Sequence, residues 1–148
     1  MSGEYELSNQ TVGGEQYIAI ARVGKPDAIE EMLDNPALHE GLYMSLQAAA
    51  KVRSGGLKYG ERARIITPIT RELYLFELKN RATAWRVLAY MHPMGSTKVE
   101  PVFLMHTKGH RGKTGRLPNE VVKKGEKLAI FARELMEEEF GNEKEREG

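Results

Sequence analysis

Three apolar runs, each the length of one strand, follow one another along the chain: "ELYLFELK", "AWRVLAYMH" and "VEPVFLMH". All three are rich in aromatic or branched residues, and only the short links "NRAT" and "PMGSTK" separate them. Strands joined by turns this short pair antiparallel. A meander is therefore predicted, and it commits the chain to a sheet whose faces need cover. "RARIITPIT" is expected to add an edge strand, because Pro68 lacks the N–H that a central strand must donate.

The remaining periodic segments supply the cover. "EQYIAIARV" alternates apolar and polar residues and reads as the first strand, ended by "GKPD". Pro26 suits the first turn of a short helix carrying Ile29, Met32 and Leu33. Asn35-Pro36 breaks that helix. Leu38, Leu42, Leu46 and Ala49 then recur at helical spacing up to Ser54, where "SGG" is expected to stop the second helix. Pro118 opens a last helix with Val121, Leu128, Ala132 and Leu135 in one stripe, ended by Gly141-Asn142. The expected architecture is one α/β (α+β) domain over residues 1–141. It has a twisted, mainly antiparallel sheet, two N-terminal helices on one face and the C-terminal helix near the sheet edge. Residues 142–148 are expected to be a disordered charged tail. A length of 148 residues fits one such domain.

Composition narrows the chemistry. The chain has no cysteine, which excludes disulfides and thiolate metal sites. No apolar run approaches the roughly 20 residues of a membrane span. The start, "MSGEYELSNQ", lacks the basic and apolar regions of a secretion signal, so a cytoplasmic protein is expected. The formal net charge of +1 conceals segregation. Lys79 to Arg116 holds eight Lys or Arg and three His against one acid, Glu100, whereas Glu134 to Glu147 holds seven Glu against two cations. The first of these regions is suited to meeting an anion.

Its densest part is "TKGHRGKTGRLP". "GKT" resembles the end of a phosphate-binding loop, but the first glycine of that motif would fall at position 107, which is Thr107. The helix should also begin at Lys113, and Gly115 and Pro118 postpone it. His106 and His110 have ligand-like spacing only within a helix, and no third ligand stands beside them, so no metal is expected. What remains is a cationic loop whose glycines let a ribose-phosphate chain approach closely.

Alternation along "AWRVLAYMH" puts Arg86, Leu88, Tyr90 and His92 on one face and Trp85, Val87, Ala89 and Met91 on the other. The second set is core-like. If the faces of neighbouring strands align, Lys79, Arg86, Tyr90 and His92 form a basic, aromatic-bearing surface beside the glycine loop. On such a surface a base stacks while cations hold phosphate. The competing reading pairs Arg86 with Glu77 across strands.

With these residues in place, "LYLFELKNRATAWRVLAYMHP…VFLMHTKGHRGK…LPNEVVKKGEKLAIFARE" resembles the RelE/HigB superfamily of toxins, especially its phage-derived HigB-like branch. The family pattern is an "LYELR" strand, a "YRVLY" strand, a "VLLH" strand, a Lys-rich segment and a Pro-started helix. The likeness covers about Glu15 to Glu139. It implies a small, cofactor-free, metal-independent endoribonuclease that cuts mRNA, often on the ribosome, and is silenced by a helix-turn-helix antitoxin. Carried over by position, the family's strand arginine falls on Lys79, the arginine of "YRVLY" on Arg86, its last tyrosine on Tyr90, and the basic segment on Lys108 to Lys113. Lys79 lacks the planar fork of arginine, and Trp85 stands where the family often has Tyr.

Under this resemblance a base takes the 2′-OH proton, a cation stabilises the attacked phosphate and an acid protonates the leaving oxygen. Arg86, His110, Lys108, Lys113 and Tyr90 are the catalytic candidates, with Arg86 for phosphate. His110 and His92 can carry protons near neutral pH. Lys108 or Lys113 can act as base if neighbouring cations depress its pKa. Lys79, Arg81, His92, Arg111 and Arg116 are the RNA-binding candidates. The alternative is a non-catalytic, phage-related accessory that binds nucleic acid or protein on the same scaffold, since a fold does not fix its chemistry.

Overall fold

The computed structural model describes residues 2–79, 85–108 and 117–141. Six strands form one sheet in the order β1-β2-β6-β5-β4-β3. They are β1 (Tyr5–Val12), β2 (Glu15–Arg22), β3 (Ile66–Thr70), β4 (Leu75–Leu78), β5 (Trp85–Pro93) and β6 (Val99–Lys108). Three helices accompany them: α1 (Ala28–Leu33), α2 (His39–Arg62) and α3 (Asn119–Phe140). The meander β3-β4-β5-β6 is antiparallel throughout, as the runs and their short links require. β2 joins it by a parallel pairing to β6, Ile18 opposite Val102. β3, with Pro68, lies at one edge. Among the described residues no helix is long and apolar enough to cross a membrane.

Several expectations need correction. "EQYIAIARV" is the second strand, because "YELSNQTV" precedes it as β1, paired residue for residue from Tyr5↔Arg22 to Val12↔Glu15. A two-residue turn, Gly13 (φ 60°) and Gly14 (φ 82°), joins the two strands, and this left-handed pair matches the twist of a hairpin. β1 has few apolar residues and is held by other means. Its Ser8 Oγ and Gln10 Nε2 donate to Asp27 Oδ2 at 2.6 and 2.7 Å, and the Tyr5 ring stacks on Phe131 at 4.7 Å.

Pro26 lies before the helix, not in its first turn. The N-cap is Asp27, whose Oδ1 accepts from Glu30 N–H at 2.9 Å. "SGG" does interrupt the helix, as expected, but a further short helical stretch follows it, and the two together are labelled α2. Gly56 leaves helical geometry (φ 88°, ψ 172°) and the helix resumes to Arg62. Pro118 occupies the N-cap of α3, and Asn119 is its first residue, so the start falls where the sequence placed it and not at Lys113.

The two faces of the sheet are both covered. α1 and α2 pack Ile29, Met32, Leu42, Leu46, Ala49 and Val52 against Ala19, Phe76, Leu78, Val87, Ala89, Met91 and Phe103. α3 does not sit at the edge. Its stripe Leu128, Ala129, Ala132 and Met136 lies over Ile20, Leu75, Leu88, Tyr90, Val102 and Leu104 in the opposite face. Each fully buried Leu or Met in these layers contributes about 1.5–3 kcal/mol relative to exposure. β5 and β6 therefore lie between two cores, and only the ends of these strands reach the surface.

Candidate functional site

One end of the β5–β6 ladder gathers most of the described candidates. Trp85 faces Lys108, Arg86 faces Thr107 and Val87 faces His106. β4 ends at this same end of the sheet, and Lys79 follows it directly, its N–H donating to Ile65 O at 2.8 Å.

Alternation splits this cluster between the two sides of the sheet. On the α3 side stands Arg86, and it is already engaged. Its Nη2 lies 2.8 Å from Glu77 Oε1, and its Nε donates to Glu77 Oε2 at 3.0 Å. The side chains are only 18% and 11% exposed. This is the two-pronged geometry a guanidinium prefers, spent on a neighbouring strand. The cross-strand pairing of Arg86 with Glu77 is thus the arrangement found.

On the α1 side, Trp85, His106 and Lys108 share a face. The imidazole of His106 lies 5.5 Å from the Trp85 ring, tilted at 56°. Its Nε2 is 3.5 Å from Glu31 Oε1 on α1, an ion pair whenever the ring is protonated. Its Nδ1 is buried and has no hydrogen-bond partner among the described residues. Lys108 is exposed at the strand's last position. A cation, a flat aromatic ring and a carboxylate-held imidazole thus meet at one strand end.

The open surface expected around Tyr90 and His92 does not exist. Tyr90 is 1% and His92 2% exposed, with Tyr90 in the layer beneath α3. They satisfy one another, Tyr90 Oη lying 2.8 Å from His92 Nδ1. Burial raises the Tyr90 phenol well above the ordinary value, an effect Arg133 opposes and Glu137 and Tyr74 reinforce. A phenol so raised stays protonated at neutral pH and cannot act as a base. With both side chains buried, neither residue can touch RNA in this fold.

Arg81, His110, Arg111, Lys113 and Arg116 lie outside the described residues. Glu31 and the pairing of Trp85 with His106 were missed in the sequence. Sequence spacing relates His106 only to His110, as a metal-ligand pair, and Glu31 belongs to a helix far away in sequence. The strand alternation that puts Trp85 and His106 on one face was the available signal. Compared with family models, curated proteins and solved structures, the chain has no match in any of the three.

Proposed function

We propose that this chain is a toxin-type endoribonuclease on a RelE/HigB-like scaffold. It cuts mRNA, with the ribosome as the setting, by metal-independent acid–base chemistry, and a small helix-turn-helix antitoxin silences it. The observation that carries the reading is the strand end where Trp85, His106 and Lys108 meet, with Glu31 behind the imidazole. An aromatic face can hold a base, an ammonium can hold phosphate, and a carboxylate-backed imidazole can move a proton. The basic segment "KGHRGKTGR" leaves from this point.

The roles differ from those suggested by the resemblance alone. His106 takes the proton-transfer role for which the sequence offered His110 and His92, and Lys108 keeps its place beside the phosphate. Arg86 holds Glu77, which favours the accessory reading as the second possibility, because the strongest phosphate ligand of the pattern is occupied.

The test is induction of the chain alone with mapping of mRNA 5′ ends. New ends in the wild type, and a loss of roughly 10²–10⁴-fold in His106→Gln at equal expression, are the expected results. Salt-dependent RNA binding without new ends, with or without ribosomes, would establish the accessory reading instead.

A further inference from the structure

The opposite end of β5 carries a second feature. There the break in α2 meets the β5–β6 turn, and between them lies a cavity of about 440 Å³. That volume falls within the range of small-ligand sites. The contact is close: a side chain on Gly56 would stand 2.7 Å from the carbonyl oxygen of Thr97, so the turn seats directly on the break. Two phenol rings line the cavity. Tyr59 lies against the bare backbone of Gly55, and Tyr74 is held at φ 52°, a left-handed conformation that bulky residues seldom adopt. Backbone strain of this kind collects at ligand sites.

The charge is one-sided. Lys58, Arg62 and Lys98 line the cavity and are exposed. None of the three forms an ion pair with a described residue. The acid lining it, Glu61, is neutralised by Arg71, whose Nη2 and Nη1 reach its two oxygens at 2.6 and 3.2 Å. Three cations around one concavity repel one another, and an anion relieves that repulsion.

We infer that this cavity binds a planar aromatic ring bearing an anionic group, of the size of a mononucleotide. The ring lies against Tyr59, which is exposed at the cavity wall. Arg62 grips two oxygens with its planar fork, and Lys58 and Lys98 add charge. β5 spans nine residues at about 3.3 Å each, so this site stands roughly 30 Å from the Trp85–His106 end and does not depend on the RNA-cleaving role.

The experiment is an amide-resolved NMR titration of the full chain with adenosine 5′-monophosphate, adenosine and inorganic phosphate, in parallel. Saturable shifts centred on Gly55, Gly56 and Thr97 are expected with the monophosphate, at a Kd on the order of 10⁻⁴ M. Adenosine and phosphate should each bind about tenfold or more weakly. The double variant Arg62→Gln/Lys98→Gln should weaken the monophosphate about tenfold and leave adenosine unchanged. Tyr59→Ala should weaken both nucleoside ligands. These substitutions are at the surface, so an unchanged thermal midpoint verifies that the fold is intact. Shifts centred instead on Trp85, His106 and Lys108 would overturn the inference, as would no saturation by roughly 5 mM. Equal affinity of the double variant for the monophosphate would do so too. If phosphate alone binds as well as the monophosphate, the aromatic part is wrong. RNA cleavage by the wild type, present or absent, bears on none of these outcomes.

Discussion

Arg86→Ala should unfold more readily than the wild type, and the size of the loss separates two accounts of this residue. An exposed ion pair contributes only about 0.2–1 kcal/mol. Removing one partner of a buried pair costs about 3–5 kcal/mol, because the other charge is left without compensation. Arg86 and Glu77 are 18% and 11% exposed and meet through two contacts of 2.8 and 3.0 Å, which puts the loss between these limits, at about 2–3 kcal/mol. For a chain of this size that corresponds to a fall of about 6–12 °C in Tm. Urea unfolding of Arg86→Ala, Glu77→Ala and the double variant would measure it, with the single losses failing to add because both remove the same interaction. Arg86→Met/Glu77→Leu, which replaces the pair by apolar groups of similar volume, should recover most of the stability. The alternative account makes the guanidinium a phosphate ligand. Under it, Arg86→Ala would lower RNA cleavage or binding while leaving unfolding within about 0.5 kcal/mol of wild type, a result that would refute a structural role for the pair.

Two further predictions rest on α2. Gly56→Ala places a side chain on a residue at φ 88° and within 2.7 Å of the Thr97 carbonyl, so a loss of about 2–4 kcal/mol in urea unfolding is expected, and a loss under 0.5 kcal/mol would mean the break relaxes freely. Glu100, salt-bridged to Arg53 at 3.0 Å, has its pKa raised by burial, which outweighs the lowering by Arg53. With the folded pKa above the unfolded one, its contribution to stability is full below the unfolded pKa and is lost as pH rises through the folded pKa. Glu100→Gln should therefore gain stability relative to wild type across the window just above the ordinary carboxylate range; a relative loss that grows with pH would contradict the sign.

Much of the fold was legible because the strongest signals were periodic and local. The meander, the edge position of Pro68, the break at Asn35-Pro36 and the start of α3 all follow from spacing and backbone chemistry. β1 was not legible for a physical reason. "YELSNQTV" brings little apolar surface of its own, and it is ordered by its register with β2, by Ser8 and Gln10 on Asp27, and by Tyr5 on Phe131. None of these partners is visible from the segment alone. "SGG" was legible as a stop: Gly56 breaks the helix where Thr97 approaches, and only the short helical stretch resuming after it to Arg62 was not foreseen.

The site was legible by side and not by solvent. Alternation assigned Arg86, Leu88, Tyr90 and His92 to one face correctly, but that face is covered. The missing step was available in the sequence. A sheet has two faces, and the tandem helices α1 and α2 claim one of them. The stripe of α3, Leu128, Ala132 and Met136, also needs an apolar surface, and only the second face remains. Tyr90 and His92 can be buried there because each supplies the other's hydrogen bond, which removes most of the cost that made them look like surface residues. Arg86 sits two residues beyond Leu88 on the same face, nearer the strand end and 18% exposed, and needs Glu77 for the same reason. What escapes full cover here is Trp85 and Arg86 at the start of β5 and Thr107 and Lys108 at the end of β6. The surface open to a ligand is therefore the end of the sheet and not its face: Trp85, His106 and Lys108 stand there, and the most basic stretch of the sequence begins at Lys108.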